Sequence, residues 1–300
     1  MKKTRVLAII VCLTALINFT SADTIRGINI DFVSIGNAGN AADTRVMTTD
    51  GTTGYGAVGY NYRIGKYEVT NTQWNAFTAA AGAPTGNPSA AYGQSAYFTG
   101  AQQPTNYVTW YEAAQFCNYL TSGDKSKGAY QFSGNNTNPG NFLGIDRTAA
   151  QTTYGTVCVI PTEDEWYKAA YFKPDGSGYS LYANGTSTAP VAGVNSNYYT
   201  SSYYNGQPWN VGTGTMEQNG TFDMMGNVYE WNETLLGGSG RGLRGGSYDN
   251  YGDTIGSFFR YGNNQIYGRD SVGFRVASVP EPCSLALLLI GGLALRNRKR

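Results

Sequence analysis

The chain of 300 residues contains no histidine and only four cysteines. The missing histidine excludes histidine-bound zinc, the 2-His-1-carboxylate iron site and every nucleophile that a histidine base activates. Two cysteines, Cys12 and Cys283, fall in the terminal segments, which leaves Cys117 and Cys158 in the central part of the chain. One disulfide between these two is possible, but their spacing does not show whether they meet.

Charged residues make up only 14% of the chain, against 41% hydrophobic residues. Residues 23–279 carry 14 Lys plus Arg and 19 Asp plus Glu, a net charge of −5, whereas the whole chain has +1. The basic residues that account for this difference lie in the two terminal segments. The central part of the chain is therefore mildly acidic, and we expect no nucleic-acid partner.

Glycine (40) and tyrosine (24) are abundant and long apolar helical runs are rare. This favours an α+β fold with turns, short strands and long loops.

The first 22 residues have the three parts of an export signal. Lys2, Lys3 and Arg5 form a basic start, residues 6–19 are apolar, and residues 20–22 are small. This pattern predicts a signal peptide over residues 1–22. A short membrane anchor is the alternative, which the length of the apolar run disfavours because a spanning helix needs roughly 20 residues.

The C-terminal residues 278–300 carry a second targeting pattern. The motif VPEP (279–282) precedes an apolar stretch over 283–295, and the chain ends in basic residues from Arg296. This order resembles the PEP-CTERM sorting signal of certain Gram-negative bacteria. The resemblance implies transient membrane insertion of the tail, its removal by an exosortase, and delivery to the cell surface, outer envelope or extracellular matrix. An ordinary tail anchor is the alternative.

Three helices are predicted by a Thr followed three residues later by Gln or Glu, because these side chains satisfy each other's free backbone donors in a capping box. The pairs are Thr70 with Gln73, Thr109 with Glu112, and Thr162 with Glu165. In the second helix Cys117 falls on the apolar face, which indicates a small core residue. Residues 175–220 lack helical or strand periodicity, yet their aromatic residues favour an ordered loop over a free linker.

Six segments in order along the chain resemble the blocks of the formylglycine-generating enzyme family, also called sulfatase-modifying factors. They are YRIGKYEVTNTQWNAF, PTNYVTWYEAAQFCNYL, CVIPTEDEWYKAAYF, DMMGNVYEWNET, LRGGSYDN and VGFRVA. The resemblance runs from about residue 60 to 277 and implies a domain over residues 23–277. The implied fold is the α+β formylglycine-generating-enzyme fold, related to C-type lectins, with little regular secondary structure.

The block DMMGNVYEWNET combines carboxylates with a glycine turn, which suits an oxygen-binding cation such as calcium. The family resemblance implies that Asp223 and Glu230 ligate through side chains, and Gly226 and Val228 through carbonyls. It also implies a second calcium position beginning at Asn197. The alternative is a turn whose acids cap backbone groups or form salt bridges.

Active members of the family carry a copper-binding cysteine pair just after the GGS motif. Here those positions fall on Asn250 and near Ile255, neither of which supplies the thiolate that Cu(I) prefers. We therefore expect no copper and lean against enzymatic activity. The alternative is an active formylglycine-generating-type oxidoreductase or another cysteine-modifying enzyme. Carboxylate chemistry at Asp249 and Asp253 stays open, although such acids are typical of turns.

The segment from residue 243 to 264 predicts a rigid turn with a polar aromatic surface. We expect the turn to be supported by a set of scaffold residues, namely Arg244, Gly245, Gly246, Ser247, Arg260 and Arg275. We expect a ligand cleft to be lined by Tyr248, Asn250, Tyr251, Tyr261 and Asn263. Rings and amides of this kind stack on sugars or hold an extended chain. The sequence thus predicts a binding or structural module for extracellular polysaccharide or a secreted protein.

Overall fold

The computed structural model describes residues 21–93 and 95–280. Most of the predicted signal peptide and of the predicted sorting tail lies outside these residues. Within them the chain forms eleven strands, four α-helices and a 3-10 turn at Ser89–Ala91. In chain order they are β1 (Ser21–Ile25), β2 (Ile28–Ile35), β3 (Tyr62–Gly65), α1 (Asn71–Ala81), α2 (Trp110–Ser122), β4 (Tyr130–Phe132), β5 (Phe142–Ile145), α3 (Arg147–Tyr154), β6 (Val157–Val159), α4 (Glu163–Tyr171), β7 (Tyr229–Leu235), β8 (Gly240–Arg244), β9 (Tyr261–Asn264), β10 (Val272–Gly273) and β11 (Ala277–Val279).

A five-stranded antiparallel sheet joins the two ends of the described chain, in the order β1-β2-β3-β11-β6. Strand β11 lies between β3 and β6, with Ala277 opposite both Ile64 and Val159. Ser278 and Val279, which the sequence pattern places in the sorting tail, are thus strand residues with backbone partners. The folded domain extends through Val279.

A four-stranded sheet, ordered β10-β7-β8-β9, supports the loops of interest. Strand β8 is antiparallel to both β7 and β9, and β10 is parallel to β7. Because of these directions, the starts of β7, β9 and β10 meet the end of β8 at one edge of the sheet. The loop over residues 245–260, which links β8 to β9, leaves and returns at that same edge.

The three predicted helices are confirmed. Helices α1, α2 and α4 each begin with a complete capping box, at Thr70, Thr109 and Thr162. Helix α2 is buried on all sides from Trp110 to Leu120, so it forms the centre of the core rather than a half-exposed surface helix. The sequence analysis missed α3, which is short and threonine-rich, because Asp146 caps it without a capping box.

Residues 173–228 contain no helix or strand and are nevertheless held in place, as predicted. Phe222 N donates to Lys66 O, Gln218 N donates to Ala183 O, and the Tyr198 hydroxyl donates to Pro190 O. Both Cys117 and Cys158 are free and buried. Among the described residues, no helix combines the length and apolarity needed to cross a membrane.

Candidate functional site

A cavity of about 330 Å³ lies at the edge where the starts of β7, β9 and β10 meet the end of β8. Each of the four strands contributes one wall residue, and the 245–260 loop contributes four more. The lining residues are Tyr229, Leu243, Asp249, Asn250, Thr254, Phe259, Tyr261, Arg269, Ser271 and Val272. Other cavities occur on the surface, but this one is lined by the loop that follows the GGS motif and by two of the residues predicted for the ligand cleft, Asn250 and Tyr261.

Two glycines give the 245–260 loop its shape. Gly245 and Gly246 have φ of 98° and 73°, in the left-handed region that side chains disfavour. A Cβ on Gly246 would lie 2.6 Å from Thr254 Oγ1 and 2.8 Å from Ile255 Cγ2. Because the loop folds back onto this glycine, the residues at its far side pack directly against its start.

The base of the loop is closed by one carboxylate of α4. Glu163 Oε1 accepts from Arg244 Nε, on the last residue of β8, at 2.8 Å, and from Arg260 Nε, on the last residue of the loop, at 2.9 Å. The side chains of Arg244 and Glu163 are 0% and 3% exposed. Two residues that flank the loop are therefore held by the same buried group, which fixes its ends relative to each other.

Two tyrosines and several charged groups give the cavity its chemistry. The rings of Tyr229 and Tyr261 lie 5.8 Å apart with an interplanar angle of 33°. Tyr229 is buried whereas Tyr261 is 48% exposed. Burial raises the pKa of Tyr229, and the nearby charge of Asp253 adds to the effect. The arrangement offers a neutral aromatic wall beside the polar groups of Asp249 and Arg269.

Of the five residues predicted to line a ligand cleft, two line the cavity and three do not. Asn250 and Tyr261 line the cavity, and Tyr251 is 58% exposed beside it. Tyr248 is only 3% exposed, because its ring packs edge-on against Phe98 at 5.5 Å. It therefore supports the loop rather than offering a platform.

Asn263 does not line the cavity either. It lies on β9, where its side-chain amide donates to Tyr267 O at 3.0 Å. The predicted scaffold serine, Ser247, is buried, and its hydroxyl bonds to Asn250 Oδ1. The side chain of Asn250, at the position that the family resemblance gives to the first copper-binding cysteine, is thereby directed toward Ser247 in the same loop.

The residues present do not fit a copper centre. Ile255, near which the family resemblance places the second cysteine, is fully buried and supplies no ligand atom. The two central cysteines lie elsewhere, on α2 and on β6 of the five-stranded sheet. Burial raises the pKa of both thiols, that of Cys158 to about 12. They are therefore thiols, not the thiolates that bind Cu(I).

The predicted calcium block lies directly beneath the loop. Gly226 N donates to Gly245 O at 2.7 Å, and Asn227 N donates to Asn197 O at 2.8 Å, so the structure brings Asn197 and Gly226 together. Asp223 Oδ2 accepts from Gly212 N at 2.7 Å. Asp223 has φ of 61°, in the left-handed region.

Carboxylates outnumber cations around this block. Arg275 interacts with four buried carboxyl groups, those of Glu68, Glu217, Asp223 and Glu230. Burial raises the pKa of Glu217 to about 8 and that of Asp223 to about 6. This excess of acid fits a bound cation.

The position of Glu230 limits its role as a ligand. Its two oxygens accept from Arg275, and one of them also accepts from Trp166 Nε1 at 2.7 Å. Among the described residues, no three His, Cys, Asp or Glu side chains form a metal-binding group. A calcium ion at this block would be held by Asp223 and by carbonyls of the turn, with Glu230 shared with Arg275. The calcium assignment stays a prediction.

Sequence reasoning missed Glu163 and the clustering of Glu68 and Glu217 around Arg275. Glu163 occupies the first helical position of α4, where an acid is expected for the helix dipole alone. Nothing in its local pattern indicates two arginine partners more than 80 positions away. A charged residue on the buried side of a predicted helix is the signal that could have identified it.

The described fold resembles several solved structures at low sequence identity. Treponema denticola variable protein 1 is 21% identical, with a TM-score of 0.60, over 90% of this chain and 100% of that one. CarF is 20% identical, with a TM-score of 0.61, over 84% and 99%. PvdO from Pseudomonas aeruginosa is 17% identical, with a TM-score of 0.58, over 88% and 99%. These likenesses show the fold.

A curated relative, Chaperone protein LppX of Paenibacillus barcinonensis, is 29% identical over 185 residues, which are 57% of this chain and 61% of that protein. The chain thus spans about three fifths of that relative's length. The family model described as the sulfatase-modifying factor enzyme 1-like domain matches residues 38–279, which include every strand and loop of the cavity. The chain belongs to this family of sulfatase-modifying factor, or formylglycine-generating-enzyme-like, domains.

Proposed function

We propose that this protein is an exported, surface-delivered recognition module that uses the family's cavity to bind a ligand without copper-dependent oxidation. The proposal is supported by two features that occur together at the same site. The loop that follows the GGS motif lines a cavity, while the positions that the family resemblance gives to the copper-binding cysteines fall on Asn250 and near the fully buried Ile255. A cavity without thiolates at these positions is suited to binding rather than to oxidation by copper.

The chemistry of the cavity supports an extracellular polysaccharide or a secreted protein as the ligand. Tyr261 and Tyr251 expose large ring surfaces beside the amide of Asn250 and the carboxylate of Asp249. Rings of this kind contribute contact area at low cost in conformational entropy. The name of the LppX relative describes a chaperone, which supports a protein ligand over chemical modification.

The terminal sequences support surface delivery. The basic and apolar start of the chain is typical of an export signal, and the VPEP tail resembles a sorting signal that an exosortase removes. Detection of the protein at the surface of the producing cells, with its C-terminus ending before the apolar stretch, is the result we expect from cell fractionation and intact-mass measurement.

The binding proposal is tested by immobilising the purified protein and exposing it to surface polysaccharide and secreted proteins from the producing cells. Mass spectrometry and sugar analysis identify what is retained. We expect a reproducible ligand whose retention falls in Tyr261→Ala and Asn250→Ala. Tyr154→Ala, which removes a 39% exposed ring at the end of α3, is the matched control and retains the ligand.

The opposite result favours chemistry. If nothing is retained, and a cysteine-containing sulfatase-type peptide changes mass on incubation with the protein, Cu(I) and oxygen, the proposal is wrong. The protein is then an oxidase with a ligand set that differs from the family's.

A further inference from the structure

Three tyrosine rings lie together beside the cavity and form a surface that we name the tyrosine patch: Tyr199, Tyr204 and Tyr251. Tyr199 meets Tyr251 at a centroid distance of 4.5 Å and an angle of 79°, and meets Tyr204 at 5.3 Å and 84°. Tyr204 and Tyr251 are 56% and 58% exposed. Because the rings stand nearly perpendicular, their faces point in different directions, and much of this ring surface is open to a ligand.

The backbone holds the patch in place before any ligand arrives. Tyr199 N donates to Asn250 O at 2.8 Å, and Tyr199 pairs with Tyr251 through an isolated parallel bridge. A turn between Thr200 and Tyr203 then brings Tyr204 back toward the loop. A surface that is already ordered loses little conformational entropy on binding.

Carboxylates surround these rings. Asp249 Oδ1 accepts from the Tyr204 hydroxyl at 3.2 Å, and Asp249 also lines the cavity. The charge of Asp249, with a smaller contribution from Asp270, raises the pKa of Tyr204. Arg269 lines the same cavity as Asp249. Ring faces and carboxylates both attract a positive charge.

We propose that the tyrosine patch and Asp249 bind the cationic side chain of a lysine or arginine in a partner polypeptide. The proposal rests on the proposed recognition function and names the class of its partner, a basic protein segment. Residues 23–279 carry a net charge of −5, and the basic residues that bring the whole chain to +1 lie in the two terminal segments, so the folded part itself attracts such a segment. An uncharged polysaccharide would stack on the same rings and donate hydroxyl hydrogen bonds to Asp249, but it would gain no long-range attraction from the negative charge.

Calorimetric titration of the full-length protein with hexalysine, in low salt, tests the proposal. We expect hexalysine to bind and its fully Nε-acetylated form, which has the same length and no side-chain charge, not to bind. Tyr251→Phe keeps the ring face and retains the affinity. Tyr251→Leu keeps apolar area without a ring and weakens binding by about two- to fivefold, the range for an exposed cation–π contact.

Charge is tested with a matched pair of variants. Asp249→Asn removes the carboxylate of the patch and weakens hexalysine binding by about two- to fivefold. Asp31→Asn removes the same charge from an exposed position on β2 of the other sheet and leaves the affinity unchanged. Equal losses in the two variants would show nonspecific attraction and overturn the proposal, as would equal affinities of Tyr251→Leu and Tyr251→Phe.

Absence of hexalysine binding also overturns the proposal. The retention experiment then shows whether only the cationic class of the partner is wrong or the recognition function as well. If the protein retains another ligand through Tyr261 and Asn250, recognition stands and the cationic class is wrong. If nothing is retained either, the proposed function falls with it.

Discussion

The base of the 245–260 loop and its rim are built from different contacts. At the base, Glu163 joins Arg244 and Arg260, and all three side chains are at least nine-tenths buried. At the rim, Tyr251 and Tyr261 are 58% and 48% exposed and contact mainly other rings. The loop is therefore fixed from below by ion pairs, while its outer surface contributes little to the fold. A module built in this way can change the residues that meet a ligand without unfolding.

Removal of the carboxylate at the base of the loop tests whether its ion pairs stabilise the protein more than the residues of the rim do. Glu163→Gln leaves Arg244 buried without its charge partner and Arg260 with Asp50 alone. Breaking a buried pair in this way costs about 3–5 kcal/mol. Urea unfolding at neutral pH measures the loss, with Asp31→Asn as the control for an exposed carboxylate. A loss below about 1 kcal/mol would mean that the base does not fix the loop.

Calcium gives a second test of the support beneath the loop. If the Asp223 block binds the ion, calcium at 100 times its Kd raises the free energy of unfolding by about 2.7 kcal/mol. Asp223→Asn removes the charge and tolerates the φ of 61°, so it abolishes the rise in Tm without straining the turn. An equal calcium-dependent rise in the variant would remove the assignment.

The buried acids around Arg275 predict a pH dependence of stability. Burial raises the pKa of Glu217 from 4.5 to about 8, so between these values the folded protein holds a proton that the unfolded chain releases. The free energy of unfolding therefore falls as pH rises from about 4.5 to about 8. Glu217→Gln imitates the protonated acid and removes part of this fall, on the order of 2 kcal/mol.

The measurement is urea unfolding of both proteins at pH 5 and pH 8 in the presence of a chelator, which excludes calcium as the cause. The wild-type protein should lose more stability between the two pH values than Glu217→Gln. Identical losses would contradict the raised pKa.

Substitutions at the rim should change the free energy of unfolding least. Tyr261→Ala and Tyr251→Ala change the free energy of unfolding by less than about 1 kcal/mol, because exposed rings bury little area. The same variants lower ligand retention, so stability and binding separate. Thermal unfolding beside the retention assay checks this, and a Tm loss comparable to that of Glu163→Gln would show that rim and base are not distinct.

Sequence reasoning was strongest where one local motif carries the structure. The capping boxes at Thr70, Thr109 and Thr162 fixed the starts of three helices, because the paired side chains lie three residues apart. It was weakest for side-chain direction in the GGS loop. Tyr248 and Tyr251 read alike in the sequence, yet one is buried against Phe98 and the other is exposed, since residues in an irregular loop follow no repeating face.

The family and the α+β class follow from the sequence alone, because each depends on which residue types occur and in what order. The sequence also shows that no cysteine stands in residues 243–264, where the family resemblance places the copper-binding pair. The contacts of Glu163 with Arg244 and Arg260, the ion pair of Arg275 with Glu230, and the clustering of three further carboxyl groups around that pair depend on the tertiary structure. Such partners lie far apart along the chain, and their pairing depends on the packing of α4 and β7 rather than on local pattern. The tyrosine patch is likewise a product of two loops brought side by side.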